Sequence, residues 1–390
     1  MTATSLTAGT PDGPASDRPL VIKAVRAHAL GVRLAVPQKS SKGAHQISEI
    51  LVVEVETSDG IIGLGEGFCR ISAKLHAAFV DQLLAPRIVG RDARDRRALW
   101  KIMRASISGH PGGQIVEAMA AVDMALWDIA GLAAGQPVHR LLGGMGRTEL
   151  NAYASSVMWA DDRSVEEEIR LVLDAGYREI KVKLGRPVED AVARARFVRR
   201  LVGDGIKLYA DANWAFDVDD ALRVAHGLAD AGFLFFEEPI VAHDREGYRL
   251  LSRRSPIRLA AGEADYVASE ALAKLTDRSV GLIQPDVARS GGITETWRIC
   301  ELAAAHHTAF APHMGLSGAI CAAASLHLAA AAETFMTYES MYYENPLRTE
   351  LCDPVVGERH QMKDGKLPVP TGPGLGVTLN RKALEKYRIA

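Results

Sequence analysis

Three candidate strands of this chain each end in an acidic residue, at a constant interval. They are residues 208–210 before Asp211, residues 233–236 before Glu237, and residues 258–262 before Glu263. Both intervals between the acids are 26 residues, a length that suits one strand, one helix and two short loops. Such units build a parallel sheet, so the three acids are expected at one edge of it. Buried carboxylates need a partner, and clustered oxygen ligands are typical of Mg²⁺ sites.

The same rhythm continues on both sides of these strands. From residue 149 onward, short apolar segments alternate with amphipathic helical patterns, which predicts parallel βαβ units. The eight candidate strands are 150–155, 179–183, 206–210, 233–236, 258–261, 281–284, 308–311 and 335–338. Eight strands with helices between them predict a TIM barrel with short loops.

Polar and ionisable residues lie at the predicted strand ends. In such a barrel these ends meet at the C-terminal face, where the active site is located. In chain order these residues are Lys181 and Lys183, Asp211 and Asn213, Glu237, Glu263, Asp286, His313 and Glu339. Taken singly, Asp211 fits a helix cap, Glu237 a solvated loop acid and His313 a structural histidine. Their regular spacing favours a shared site instead. The two lysines alternate along one strand, so both face the same side, and Asp286 could fix the tautomer of His313.

The first third of the chain has a different pattern. Candidate strands at 21–30, 49–56 and 61–66, with an Asp-Gly turn at 59–60, precede helical segments and predict a small α+β domain over 20–145. Two polar segments, 37–48 and 67–72, are expected to be loops. Residues 1–19, rich in Ala, Thr, Ser, Gly and Pro, predict a disordered tail. The Pro- and Gly-rich segment 345–390 is expected to pack back on the first domain.

Composition excludes several classes of partner. The chain is 48% hydrophobic and 24% charged with a net charge of −2, which gives no reason to expect nucleic acid or a membrane. The longest apolar run, 319–332, is shorter than the roughly 20 residues of a membrane span. The four cysteines, Cys69, Cys300, Cys321 and Cys352, are scattered and predict buried thiols in a reducing, cytoplasmic compartment. We also expect a homo-oligomer.

Taken together, these motifs resemble the mandelate racemase / muconate lactonizing enzyme family of the enolase superfamily, within its mandelate racemase group. The resemblance rests on residues 181–183 (Lys-Val-Lys), 211–213 (Asp-Ala-Asn), 237–239 (Glu-Glu-Pro), Glu263, 284–286 (Gln-Pro-Asp), 311–313 (Ala-Pro-His) and 372–376 (Gly-Pro-Gly-Leu-Gly). It implies an α/β fold in which an N-terminal α+β capping domain, completed by 345–390, closes over a modified (β/α)7β barrel at 146–344.

The resemblance also implies roles for the strand-end residues. One Mg²⁺ per subunit would lie between Asp211, Glu237 and Glu263 and bind the carboxylate of the substrate. Sites of this superfamily combine a Lys or His base with Mg²⁺. Here Lys183 would be the base on one face, with Lys181 lowering its pKa. His313, held by Asp286, would stand on the other face. Glu339 would hydrogen-bond the substrate carboxylate if its own pKa is raised. Lys181, Asn213, Glu339, Lys39 and His45 are the expected substrate-binding residues.

Three reactions fit such a site. Dehydration of an acid sugar, an aldonate or aldarate, is favoured because the segment 37–48, with Lys39 and His45, would form a polar lid over the small carboxylate substrate. A polar lid suits a polyhydroxylated substrate better than an aromatic one. Racemisation or epimerisation of a 2-hydroxy acid and cycloisomerisation of a sugar lactone remain open. A barrel that binds metal and ligand without turnover is a fourth reading. It would be expected to lack a base, whereas Lys183 and His313 are both present.

Overall fold

The computed structural model describes residues 18–105, 112–155, 157–158 and 160–389. The tail predicted at 1–19 lies outside the described residues up to residue 17. The remaining chain forms an N-terminal antiparallel sheet with helices, a closed parallel barrel and a C-terminal segment that contacts both.

The N-terminal region begins with a three-stranded antiparallel sheet followed by helices. Its strands are β1 (Ile22–Ser40), β2 (Gly43–Thr57) and β3 (Ile62–Cys69), and its helices are α1 (Ala73–Phe79), α2 (Ala85–Ile88), α3 (Arg96–Arg104), α4 (Gln114–Ala134) and α5 (Val138–Leu141). A short π-helical turn, Val80–Leu84, links α1 to α2.

The expectation of a loop at 37–48 is wrong. This segment is the tip of the β1–β2 hairpin, in which Gln38 lies opposite His45 and Ser40 lies opposite Gly43. The strands extend this far because backbone pairing does not need apolar side chains, which were the only strand signal available in the sequence. The second polar segment, 67–72, likewise begins inside β3.

The barrel contains eight parallel strands and seven intervening helices, which confirms the (β/α)7β fold. The elements are β4 (Glu149–Ser155), α6 (Asp162–Asp174), β5 (Glu179–Lys183), α7 (Val188–Val202), β6 (Lys207–Asp211), α8 (Val218–Asp230), β7 (Phe233–Glu237), α9 (Arg245–Arg254), β8 (Arg258–Ala261), α10 (Ala268–Asp277), β9 (Leu282–Ile283), α11 (Gly292–Ala305), β10 (Ala309–Phe310), α12 (Ala319–Ala331) and β11 (Tyr338–Met341). The ladder runs from β10 down to β4 and on to β11.

The eighth strand lies three residues later than the sequence predicts. Phe335 forms only an isolated bridge to Phe310 of β10, and the chain then pairs with β4 from Tyr338 to Met341. The bridge and the strand together close the barrel, because they connect its two end strands. Glu339 therefore lies within β11 rather than at its end.

Register brings the acidic residues of neighbouring strands to one level of the barrel. Lys183 of β5 is aligned with Asp211 of β6, and Asp211 is aligned with Glu237 of β7. An aromatic layer lies elsewhere in the barrel interior, where the rings of Tyr209 and Phe235 stack at 4.2 Å between centroids. The strand ends beyond this layer are free to carry polar chemistry.

The C-terminal segment contacts both the sheet and the barrel. It contains α13 (Pro346–Thr349), β12 (Cys352–Asp353), a 3₁₀ turn (Arg359–Gln361), β13 (Lys366–Pro368), β14 (Thr378–Leu379) and α14 (Arg381–Tyr387). Strand β13 pairs with β4, and Ile389 donates its N–H to the carbonyl oxygen of Ala29 in β1 at 2.9 Å. The domain boundaries at 145 and 344 stay predictions. None of the described helices is long and apolar enough to cross a membrane.

Hydrogen bonds attach the N-terminal sheet to the C-terminal ends of the barrel strands. The hydroxyl of Ser41, at the hairpin tip, donates to the carbonyl oxygen of Ala212 at 2.8 Å, and that of Ser48 donates to Leu316 at 2.8 Å. Buried Glu66 of β3 accepts N–H groups from Gly318 at 2.6 Å and Cys321 at 3.0 Å, at the start of α12. These contacts hold the hairpin tip over the barrel mouth.

A buried histidine in α12 predicts a pH dependence of stability. Burial lowers the pKa of His327 from 6.5 to about 3. When the pH falls below about 6.5, this histidine is therefore protonated in the unfolded chain but stays neutral in the folded chain. Folding stability from this group is therefore lost as the pH falls. Between about pH 7.5 and 5.5 the loss is about 1 kcal/mol, and His327→Gln should remove it. Thermal denaturation at both pH values, with exposed His360→Gln as the matched control, measures the difference. An unchanged slope in His327→Gln would contradict this prediction.

Candidate active site

Three buried carboxylates converge at the mouth of the barrel. Asp211, Glu237 and Glu263 each offer an oxygen atom, and these atoms all lie within 4.8 Å of one another. Oε2 of Glu263 is buried and accepts no hydrogen bond from a described residue, and Nε2 of His313 lies 3.3 Å from it. A buried carboxylate oxygen with spare lone pairs between two further acids fits a hard divalent cation, which would bind all three. The equal spacing in the sequence therefore corresponds to proximity in space.

Amide and amine groups orient two of these carboxylates. Asn213 donates its backbone N–H to Oδ1 of Asp211 at 2.8 Å and its side-chain Nδ2 to Oδ2 at 3.2 Å. Nζ of Lys183 contacts the same Oδ2. Gln284 donates to Oε2 of Glu237 at 2.8 Å. Each acid thus keeps a fixed orientation while its remaining lone pairs face its neighbours.

Lys181 lies beneath the carboxylates and is fully buried. Its Nζ is 2.6 Å from Oε1 of Glu339, 2.7 Å from Oε1 of Glu237 and 3.8 Å from Oδ2 of Asp211. Burial alone would lower its pKa, but Glu237 and Glu339 hold the pKa of Lys181 well above its usual range. Lys181 does not line the cleft, so the expectation that it binds substrate directly is not supported. Its ammonium group instead orients Glu237 and Glu339.

The predicted role of Glu339 requires a protonated carboxyl group, but its pKa is lowered, which favours the ionised form. Burial raises its pKa, but Lys181 and then His313 outweigh that effect and lower it to about 2. Its Oε2 accepts the N–H of Met314 at 2.7 Å. An ionised Glu339 accepts hydrogen bonds and donates none, so the condition attached to its predicted role, a raised pKa, is not met in this structure. The sequence could not reveal this, because the shift depends on Lys181 reaching across from β5.

His313 and Asp286 form the predicted pair. Nδ1 of His313 lies 2.9 Å from Oδ2 of Asp286, and Asp286 also accepts the N–H of Ala288 at 2.9 Å. The second ring nitrogen, Nε2, lies 3.3 Å from Oε2 of Glu263. Burial lowers the pKa of His313, but Glu263, Glu339 and Asp286 together raise it to about 9. The Asp286 contact fixes the ring so that Nε2 faces the cleft.

Lys183 and His313 approach the cleft from different sides. In the closed ladder, β5 and β10 are separated by three strand steps through β4 and β11, and by five steps through the strands that carry the acids. Both residues line one cleft. A substrate bound beside the three carboxylates would therefore have an ionisable group on each face.

The cleft lies between the barrel mouth and the N-terminal hairpin. Seven of the predicted site residues line it, namely Lys39, His45, Lys183, Asn213, Glu263, His313 and Glu339. The lining also contains Gln38 and Lys42, which belong to the predicted lid 37–48, and residues that sequence reasoning missed, among them Arg70, Met158, Trp214 and Tyr343. These side chains lie on loops and hairpin tips, where no periodic pattern could identify them.

Glu238 supports the site from outside the cleft. It is fully buried and accepts hydrogen bonds from Trp214 Nε1 and the Tyr248 hydroxyl, both at 2.7 Å, and from the N–H of Gly262 at 3.0 Å. Glu238 and Trp214 both have a left-handed backbone, with φ of 39° and 63°. Strained backbone of this kind persists where the surroundings fix it, which is typical of functional sites.

Comparison with known proteins agrees with this geometry. The N-terminal-domain model of the mandelate racemase / muconate lactonizing enzyme family matches residues 22–143, and the enolase C-terminal domain-like model matches residues 164–383. A D-galactarolactone cycloisomerase from Agrobacterium fabrum is 30% identical, over 94% of this chain and 99% of that protein. An arabinonate dehydratase from Saccharolobus solfataricus is 31% identical, over 87% of this chain and 91% of that protein.

Solved structures share the whole fold. An enolase-superfamily member from a Polaromonas species superposes with a TM-score of 0.89 at 31% identity, covering 95% of this chain and 98% of that one. A racemase from Streptomyces coelicolor, solved with bound magnesium, has a TM-score of 0.87 at 27% identity, covering 95% of this chain and all of that one.

Proposed function

The chain belongs to the mandelate racemase / muconate lactonizing enzyme family of the enolase superfamily, as a lyase or isomerase, and from that premise we propose that it dehydrates an acid sugar. The proposal rests on the positions of Lys183 and His313, which line one cleft from two sides. The acids Asp211, Glu237 and Glu263 lie beside them. The arabinonate dehydratase among its relatives supports the same reaction class.

The three acids would hold one Mg²⁺ per subunit. A bound divalent cation supplies the positive charge that stabilises the dianionic enediolate formed when a proton is removed beside a carboxylate. The fit rests on the convergence of the three carboxylates, on Oε2 of Glu263, which accepts no hydrogen bond from a described residue, and on the fixed orientation of Asp211 and Glu237. Lys181, buried against Glu237 and Glu339, keeps these acids in place.

The reaction then needs one base and one acid. The amine of Lys183 removes the proton at C2 of the sugar acid, leaving an enediolate. Nε2 of His313 gives its proton to the hydroxyl at C3, which leaves as water as the C2–C3 double bond forms. The enol tautomerises to a 2-keto-3-deoxy acid, so atoms and charge balance. Asp286 holds His313 in the orientation that this step requires.

Cycloisomerisation of a sugar lactone is the second candidate, favoured by one specific observation. The cycloisomerase from Agrobacterium fabrum aligns with 99% of its own length and 94% of this chain. The same base would abstract the C2 proton, and β-elimination would expel a ring carboxylate instead of water. Racemisation would use Lys183 and His313 in turn on the two faces.

The test is a product analysis on purified protein with Mg²⁺ and a panel of aldonates, aldarates and their lactones. We expect a 2-keto-3-deoxy acid, detected as a semicarbazone and by NMR, at a rate that depends on Lys183. The same type of keto acid formed from a lactone, with the mass of that lactone, and not formed from the open-chain acid would establish the cycloisomerase instead. Inverted configuration at C2 without either product would establish a racemase. Tight binding of an acid without any of these would favour a non-catalytic barrel.

Removal of divalent metal should abolish turnover. Without a cation, three buried carboxylates repel one another and the enediolate charge is unopposed, so we expect activity to fall by at least about 10³-fold on exhaustive chelation, with recovery on adding Mg²⁺. Asp211→Asn should lower both the affinity for Mg²⁺, measured by calorimetry, and activity. The matched control, Asp204→Asn at an exposed loop position, should change neither. Full activity in chelated protein would contradict the assignment.

We also propose a small carboxylate as the only substrate class, a homo-oligomeric assembly and a cytoplasmic location. The location is supported by the four cysteines, all buried and free of disulfides. Size-exclusion chromatography with light scattering measures the assembly, and a monomeric mass would contradict that part of the proposal.

A further inference from the structure

Charge is distributed unevenly around the cleft. Among the described residues that line it, the two acids, Glu263 and Glu339, belong to the barrel. The N-terminal domain contributes Lys39, Lys42 and Arg70 to the lining, and no acid. A substrate lying between these two sides would have one end at the three carboxylates and the other end among cations.

Arg70 has no anionic partner. It follows β3, its Nη1 lies 3.3 Å from Nε2 of His45, and its guanidinium lies 5.3 Å from the ring centroid of Phe68. Burial, and then Arg70 itself, lower the pKa of His45, so the ring accepts a hydrogen bond from Arg70 without neutralising it. In the described part of the chain Arg70 forms no ion pair, and it lines the cleft.

Two cations of the same sheet that lie away from the cleft are paired with an acid, and so is a cation of α14 beside it. Lys23 and Arg26 both contact Glu56 at 2.7 Å, and Arg381 of α14 contacts Glu54 at 2.5 Å. At the cleft, by contrast, Lys39, like Arg70, forms no ion pair with any described residue. The absence of acids is therefore a feature of the cleft side of the sheet and not of the sheet as a whole.

We propose that the preferred substrate is an aldarate, a sugar acid with a carboxylate at each end, and that Arg70 binds the carboxylate remote from the three acids. This rests on the proposed function, because it assumes that one carboxylate occupies the site beside Asp211, Glu237 and Glu263. The planar guanidinium pairs with a carboxylate through two parallel hydrogen bonds. The terminal hydroxymethyl group of an aldonate would offer no anion to Arg70 or Lys39.

The experiment compares matched pairs of six-carbon acids, each an aldonate and the aldarate of the same configuration, together with the 6-phosphoaldonate. We expect the best aldarate to exceed its aldonate in kcat/KM by roughly 10- to 100-fold, mainly through KM, because a charged hydrogen bond is lost in the aldonate. Arg70→Met should reduce that ratio by a similar factor, and Arg70→Lys should restore part of it.

Arg33→Met is the matched control. Arg33 is exposed on β1 of the same hairpin, does not line the cleft and bonds Gln46 at 2.7 Å, so the substrate ratio should not change. Aldonates turned over better than aldarates, or a ratio unaffected by Arg70→Met, would overturn the inference while the proposed function stands. Preference for the phosphorylated acid would also overturn it. Failure of every acid sugar to exchange its C2 proton would overturn the proposed function, and this inference with it.

Discussion

Lys183→Ala is expected to abolish both turnover and exchange of the substrate's C2 proton with D₂O. Lys183 is the cationic side chain that contacts Asp211 and also lines the cleft, whereas Lys181 is fully buried against Glu237 and Glu339. Without the base no enediolate forms, and general-base contributions are about 10²–10⁴-fold. We expect a loss of at least about 10³-fold in both rates.

Lys382→Ala is the control for this variant, because Lys382 is exposed on α14 and lies outside the cleft lining. It should retain both rates. Circular dichroism and calorimetric titration with Mg²⁺ would verify that the Lys183 variant still folds and binds metal. Exchange that survives in folded Lys183→Ala would assign the base elsewhere.

His313→Asn is expected to fail in a different way. Asn cannot supply a proton to a leaving hydroxyl at neutral pH, so dehydration should fall by about 10²–10⁴-fold. Exchange of the C2 proton should persist, because Lys183 remains on the other face. NMR in D₂O measures exchange, and a coupled assay of the keto acid measures dehydration, on the same sample.

Asp286→Asn provides the companion variant. It leaves His313 in place but replaces the carboxylate that lies 2.9 Å from its Nδ1, so it should lower dehydration by a smaller factor than His313→Asn does. Loss of exchange with retained dehydration in His313→Asn would reverse the two assignments. Normal dehydration in both Lys183→Ala and His313→Asn would mean that the reaction takes place at another site.

The residues that could be predicted from the sequence are those whose positions follow from the period of the fold. Asp211, Glu237 and Glu263 were identifiable because each ends an apolar strand one βα unit after the last. The pairing of Asp286 with His313 followed from the same rhythm. In the structure these groups are neighbours, at the level that the strand register sets.

The residues that could not be predicted depend on contacts between distant segments. The pKa of Glu339 is low because Lys181 and His313 converge on it, a fact that spacing along the chain does not contain. Arg70 reaches the cleft only because β3 ends above the barrel mouth. The polar hairpin tip at 37–48 lacked the apolar alternation that marks a strand, although its backbone pairs as one.

The most direct test of the proposed chemistry is C2-proton exchange of an acid sugar in D₂O, followed by NMR with Mg²⁺, after chelation and after Mg²⁺ is restored. The proposal predicts exchange that disappears on chelation, returns with Mg²⁺ and is absent at every stage in Lys183→Ala. Exchange that continues in chelated protein, or that is equally fast in Lys183→Ala, would contradict it.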